Sequence, residues 1–274
     1  MRHWMFLVTG GAGFIGSNVV ASLNEAGRSD IVVNDSLDTG EKWRNLGKRQ
    51  LADVVPPGEL FSWLEGRKLD AVIHLGAISD TTATDGDLVI ETNFRLSLRL
   101  LEWCTAARTP FIYASSAATY GDGTDGFSDD GSPPALRRLK PLNLYGWSKH
   151  LFDLAVADRA AKGASLPPQW AGLKFFNVFG PNEYHKGEMM SLLAKRFDDA
   201  RRGPRHPVVQ IASRRHRRWR AEARLHPFAK LKAFLRKAAE RSIPCLQRRT
   251  ASLIPSFSAR ECANYFRHAG YAAT

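Results

Sequence analysis

Short apolar runs, each followed by a turn of small residues and then by a segment with apolar positions at helical spacing, recur through the first two hundred residues. WMFLVTG, residues 4–10, is the first run. It leads through GGAGFIG into SNVVASLNEAG, whose apolar residues repeat with a helical period until Gly27 closes the segment. DIVVNDS, LDAVIHLGAIS and TPFIYASSAATYG are three further runs of strand length. Between them, stretches such as LSLRLLEWCTAAR carry the helical spacing that a crossover between parallel strands requires. The alternation predicts an α/β fold built on a doubly wound parallel sheet.

The turns carry the first candidate chemistry. Gly10, Gly13 and Gly16 lack side chains where a strand-to-helix turn must be tight, and the head of the following helix offers unpaired N–H groups to an anion. The spacing is GxxGxxG. Asp35 ends the second strand about twenty residues on, where a carboxylate can hold an adenosine ribose. In the adjoining GEKWRNL, Lys42, with Arg44 as the weaker candidate, either neutralises a ribose 2′-phosphate or is a solvated surface lysine. Gly76 and Ala77 form a small-residue turn after the third strand. Ser115 and Ser116 fall at the carboxyl end of the fourth, the edge where open parallel sheets place ligands. Tyr145 and Lys149 in PLNLYGWSKHLFDLAV are four apart at the start of an amphipathic helix, so they share a face. An ammonium beside a phenol favours the phenolate, so the pair reads either as an acid/base couple or as a common surface pair.

Charge changes the picture at one place. Residues 1–200 hold 21 Lys/Arg against 24 Asp/Glu, a net of −3, whereas residues 201–274 hold 18 against 3, a net of +15. The overall +12 is therefore a property of the tail, and it does not make the front half a nucleic-acid binder. In the tail, SRRHRRWRAEAR, residues 213–224, follows no helical or heptad period. An apolar content of 44% over 274 residues provides for a core and excludes disorder throughout. Cys104, Cys245 and Cys262 are scattered, with no CxxC pair and no metal-ligand spacing, and read as free thiols in a reducing compartment. No run is long enough for a membrane span and the N-terminal run is too short for a signal peptide, so a cytoplasmic protein with no membrane partner is expected.

Taken together, GGAGFIG, YASSAATYG, ETNF and the Tyr145/Lys149 pair make residues 4–199 resemble the extended short-chain dehydrogenase/reductases, which are Rossmann-like. KFFNVFGPNEYHKGEMMS and GEKWRNL narrow the resemblance to the ADP-L-glycero-D-manno-heptose 6-epimerases. It implies inversion at C6″ of ADP-heptose by transient oxidation with bound NADP, NAD being the alternative, for lipopolysaccharide inner-core supply. It also implies the catalytic set Ser116, Tyr145, Lys149 and Lys186. Cofactor contacts fall on Gly10, Gly13, Phe14, Ile15 and Gly16 in the first turn, and on Asp35, Ser36 and Lys42 after the second strand. Gly76, Ala77, Ile78 and Ser79 follow the third strand, Lys149 and Val178 add to them, and Asn93 is the structural or cofactor-side asparagine. Substrate contacts fall on Ser116, Asn177, Lys186 and Glu188; the glutamate stands where other members can carry serine. His185 and Lys186 also read as a phosphate-binding pair for the nucleotide. The family habit is a homo-oligomer. Two other readings stay open: another nucleotide-sugar 4-epimerase or dehydratase, and a non-catalytic cofactor-binding remnant whose basic tail contacts nucleic acid.

In this family the chain continues past HKG into a segment ending in a KRDFI-type strand, and this sequence lacks one. Codons allowed for IASRRHRRWRAEARLH, residues 211–226, read one base later, give SHRDGIADGEQKRDFI. Trp219 has a single codon, which constrains the match. The resemblance thus divides the chain into an NADP-binding domain with the catalytic Tyr and Lys, 1–200, and an out-of-frame tail, 201–274, in place of a small substrate domain. We expect resequencing of the locus to find a one-base insertion or deletion between about Ala200 and Ile211; an intact frame encoding this tail sinks the idea.

Overall fold

Met5–Thr9 (β1) and Ile31–Asn34 (β2) are near-continuous apolar runs because both of their faces are covered, the usual state of a parallel sheet between helical layers. In the computed structural model, which describes residues 5–190, they pair in parallel with Val8 opposite Val33. Leu69–His74 (β4) lies on the other side of β1 and places Ile73 opposite Val8. Phe111–Ser116 (β5) and Trp170–Phe175 (β6) extend that side, and Asp53–Val55 (β3) extends the other. All pairings are parallel and the order is β3-β2-β1-β4-β5-β6, so the doubly wound sheet expected from the sequence is present. The chain divides into two units, Met1–Gly121 with Asp129–Lys195 and Asp122–Ser128 with Arg196–Thr274. The sheet and its covering helices belong to the first unit; the basic tail, Cys245 and Cys262 lie outside the described residues.

The crossovers supply the two covering layers. Phe14–Glu25 (α1) starts at Phe14, ahead of the SNVV run, with extended Gly13 in the N-cap position and no side chain capping it. Leu60–Leu64 (α2) is a single turn or so. Gly86–Ile90 (α3) passes through a π-helical turn, Glu91–Arg95, into Leu96–Ala106 (α4). Pro133–Leu136 (α5) precedes Leu144–Ala161 (α6), whose head is capped by the Asn143 side chain accepting from the Gly146 N–H at 2.8 Å. No helix among the described residues is long and apolar enough to cross a membrane.

Two strands escape the apolar pattern of the sequence. β3 has only three residues and exposes two of them, and β6 buries none of its residues fully, so neither presents a buried apolar run. The larger core cluster packs Leu100, Leu101 and Cys104 of α4 and Phe152 and Val156 of α6 on Leu7, Val72, Phe111 and Tyr113. Burial pushes the Cys104 thiol up to about 12, which makes it an inert packing group. Phe111 sits at its centre, stacked on Tyr113 and meeting Phe152 edge-on at 6.4 Å. Phe111→Ala should cost about 3–5 kcal/mol in urea unfolding, the range for a fully buried aromatic; a loss under about 1 kcal/mol contradicts this core.

Candidate functional site

Parallel pairing brings the carboxyl ends of β1, β4 and β5 to one edge, and the turns leaving them build the site from three sides. The first side is the glycine turn. Gly10 has φ +67°, and a Cβ there would stand 2.6 Å from the Gly76 amide nitrogen. A Cβ on Gly16 would collide with the Gly10 carbonyl. The head of α1 is thus pressed onto the turn with no room for side chains, and its leading amides, from Phe14 to Gly16, face outward from the helix end. That is a cradle for a diphosphate, and the residues present fit a dinucleotide. Asp35, beyond β2, accepts from the Ala12 N–H at 2.9 Å through Oδ2, while Oδ1 accepts from the Ser36 N–H at 2.8 Å and from Lys42 Nζ at 2.6 Å. Lys42 also donates to the Ser36 carbonyl. Arg44 is exposed and pairs with Glu41, away from Asp35.

The second side is a chain of hydrogen bonds that the sequence did not announce. Ser97 Oγ donates to the Asn93 carbonyl at 2.7 Å, so it accepts from His74 Nε2–H at 2.8 Å. His74 Nδ1 then accepts the Thr9 hydroxyl proton at 2.6 Å, and Thr9 Oγ1 accepts the Gly76 N–H at 3.1 Å. This direction fixes the tautomer and ties β1, β4 and α4 together. Complete burial, with Lys149 adding to it, pushes His74 down to about 3 and keeps it neutral. Asn93 is fully buried: its side chain accepts from the Ile78 N–H, donates to the Ile78 carbonyl, and reaches Ser148 Oγ at 3.0 Å. It clamps the Gly76–Ser79 turn to α6, so its polar atoms are spent on the chain. Ser79 is exposed beside that turn, and Ala77 and Ile78 are half-buried.

The third side is β5 against α6. Alternation along the strand separates the two serines. Ser115 donates to Asp153 Oδ2 at 2.6 Å, whereas Ser116, whose oxygen accepts from the Ala118 N–H, hydrogen-bonds Tyr145. Lys149 is buried and lies one turn along α6 from Tyr145. The sequence offers Lys149 as a cation that favours the phenolate; burial and Ser116 also act on the phenol. Burial raises the Tyr145 phenol, the Ser116 hydrogen bond draws it part of the way back, and burial pushes Lys149 itself down to about 8. Dehydration is the larger effect because it acts on each group whole.

The HKG segment forms part of a 3₁₀ turn, Tyr184–Met189. Lys186 Nζ lies 5.2 Å from the centre of the Phe14 ring at the head of α1. His185 Nδ1 meets Asn45 Nδ2 at 3.1 Å, and Asn45 also donates to the Ala12 carbonyl at 2.8 Å. Asn182 donates to Ser17 Oγ, and Asn18 to the Pro181 carbonyl, binding this loop to the glycine turn. Among the described residues no hydrogen bond joins Lys186 to Tyr145 or Ser116. Asn177 and Val178 are exposed, Ile15 is half-buried, and the Glu188 side chain lies outside the description. Sequence reasoning missed Thr9, His74, Ser97, Asn45, Asp153 and Lys174. A polar residue at each end of an apolar strand was the available signal for Thr9 and His74.

Known proteins share this fold and much of this sequence. The model of the NAD dependent epimerase/dehydratase family matches residues 6–219. Over 198 residues the chain is 51% identical to an ADP-L-glycero-D-manno-heptose-6-epimerase of Nitratidesulfovibrio vulgaris, covering 70% of this chain and 59% of the relative. Over 193 residues it is 48% identical to the protein of the same name from Fusobacterium nucleatum, covering 69% and 57%. Among solved structures, the ADP-L-glycero-D-manno-heptose-6-epimerase of Helicobacter pylori superposes with a TM-score of 0.57 at 30% identity, over 71% of this chain and 64% of that one. A UDP-glucose 4-epimerase of Thermotoga maritima, solved with UDP-glucose, gives 0.56 at 26% identity, over 72% and 63%. The chain spans about three fifths of the length of these curated relatives.

His74 yields a pH prediction. Its folded value, about 3, is depressed below the 6.5 of the unfolded chain, so the unfolded state binds the proton first. The stability tied to neutral His74 is fully present above pH 6.5 and is lost as pH falls towards 3. Denaturant midpoints across that window should fall steeply in the parent chain and more shallowly in His74→Asn; equal slopes contradict the assignment.

Proposed function

The chain belongs to the NAD dependent epimerase/dehydratase family, and from that membership we propose that it binds a nicotinamide dinucleotide along the Gly10–Gly16 turn and carries the machinery for epimerising ADP-D-glycero-β-D-manno-heptose at C6″. The observation that carries this reading is the meeting of Ser116, Tyr145 and Lys149 at the carboxyl end of β5, on the same sheet edge as a glycine turn with no room for side chains. The names of the relatives from N. vulgaris and F. nucleatum, at 51% and 48% identity, support the heptose over a hexose substrate.

A bound nicotinamide supplies the hydride acceptor and donor that lets a carbinol carbon invert without outside reductant. The chain's own residues handle the proton and the oxygen. Tyr145 takes the proton from the reacting hydroxyl and returns it, and Ser116 holds the same oxygen through the hydroxyl that already bonds the phenol. Lys149 places a positive charge one helical turn from the phenol and offers its ammonium to the nicotinamide ribose.

NADP is the proposed form. The chain itself engages both Asp35 oxygens, through the Ala12 and Ser36 N–H groups and Lys42, which leaves the carboxylate less available to a ribose 2′-hydroxyl and sets a cation beside that position. Lys42 is then the phosphate's ion-pair partner. Lys186 supports two readings. The resemblance makes it the second acid/base, but its station over Phe14, with His185 beside it, favours a role on the nucleotide phosphates. Residues 201–274 are proposed as an out-of-frame tail that leaves the heptose without a closed pocket.

The test is direct. The purified chain should carry nicotinamide cofactor by absorbance and mass, lost on Gly16→Ala, and Lys42→Ala should weaken NADP about tenfold or more while sparing NAD. In a chain whose frame is restored after Ala200, ADP-heptose should be epimerised and UDP-hexoses left unchanged, and Tyr145→Phe should abolish turnover. Full-speed inversion by that variant overturns the reading.

A further inference from the structure

Behind Tyr145 and Lys149 lies a buried ionic cluster that the proposed chemistry does not use. Asp153 is the third member of the face that begins with Tyr145 and Lys149, each four residues from the last along α6, and it is buried. One of its oxygens, Oδ2, takes both the Ser115 hydroxyl at 2.6 Å and Lys174 Nζ at 2.8 Å. The other, Oδ1, is buried, and the Tyr113 hydroxyl of β5 also reaches this carboxylate. Lys174, from β6, is itself held by Thr119 Oγ1 at 2.6 Å and lies 4.9 Å from the centre of the Tyr120 ring. A buried carboxylate–ammonium pair is by itself weak evidence for stability. The arrangement makes better sense as a charge held in place for another group.

We propose that Asp153 is a positioning residue that holds Lys149 as an ammonium, with Ser115 and Lys174 acting as the clamp that fixes how strongly it does so. The inference rests on the proposed function for its purpose, since the proton on Lys149 matters only if Tyr145 is the acid/base.

The charges around Lys149 leave few other candidates. On α6 the titratable neighbours are Tyr145, His150 and Asp153; β4 contributes neutral His74 and β5 contributes Tyr113. Lys174 comes from β6. The helical segment α3 with its π-turn packs against α6 but offers only Asp87, Glu91 and Arg95, all exposed, the last two paired with each other. α5 has no ionisable residue, and the 3₁₀ turn Ala117–Tyr120 has only Tyr120. Asp153 is therefore the one buried carboxylate among the described groups facing this ammonium. Burial drives Lys149 down to about 8 and Asp153 opposes it. Asp153 also pushes the phenols of Tyr113 and Tyr120 up, so its field reaches across the whole cluster.

The sign can be read from two variants that act in opposite directions. Asp153→Asn removes the supporting charge, so Lys149 should lose its proton about tenfold more readily, a shift of about one pH unit downward. Lys174→Gln removes a competing cation, frees Asp153 for Lys149, and should move the titration upward. The experiment is a pH titration of the full chain labelled with ¹³C at lysine Cε, with the Lys149 resonance identified by its loss in Lys149→Arg and folding checked by thermal melts. In the parent it should titrate near 8. Opposite shifts in the two variants support the proposal; no shift, or shifts of the same sign in folded protein, overturn it. Should Asp153→Asn fail to fold, Lys174→Gln alone decides by moving the titration upward or not. The readout needs neither cofactor nor turnover. A chain that titrates as expected yet carries no nicotinamide sinks the functional reading and leaves the Asp153 assignment standing, and the reverse result separates them the other way.

Discussion

The ends of β1 and β4 come together so closely that a single added methyl on Gly10 would press on the Gly76 backbone. Everything at the ligand edge is hung from that approach. It brings Thr9 within reach of both the Gly76 amide and His74, and so permits the hydrogen-bonded chain that runs on to Ser97 and Asn93. Asn93 in turn fastens the turn after β4 to α6 through Ser148, the residue immediately before Lys149. A backbone contact between two glycines thereby sets where the lysine stands. Side chains of any size at this crossing would part the strands and loosen each later link.

Dehydration governs the electrostatics of the site. His74 is kept neutral by it, the Tyr145 phenol is raised, and Lys149 is lowered. Attractive partners only moderate these effects: a serine hydroxyl for the tyrosine, a carboxylate one turn away for the lysine. The same logic explains why the exposed ion pairs, such as Arg44–Glu41 and Arg95–Glu91, contribute little by comparison, since water screens them. It also accounts for Asp35, half-buried at the rim, whose charge is met directly by a lysine.

Much of this is legible in the chain. The buried strands β1, β2, β4 and β5 announce themselves as apolar runs, and Gly10, Gly16, Tyr145 and Lys149 carry their chemistry in residue type and spacing. β3 and β6 do not, because strands with exposed residues leave no run to find. The sequence suggests a cofactor-side or structural role for Asn93, and its hydrogen bonds lie with the Ile78 backbone and Ser148. The Thr9–His74–Ser97 link joins three elements distant in sequence, and no local period encodes it. Asp153 is hidden for a different reason: a carboxylate on an amphipathic helix ordinarily faces water, and only the fold shows that its face is the covered one.

The strand order has a kinetic side. No two neighbouring strands of this sheet are joined by a hairpin; β1 must wait for β4, with Val8 finding Ile73, before its second edge is closed. Such long-range pairing carries its loop-closure entropy up front and is slow relative to local structure. A nascent chain of this kind therefore presents the β1 edge that β4 will cover to its surroundings for as long as synthesis of the β4 region takes, a period in which chaperone capture competes with collapse.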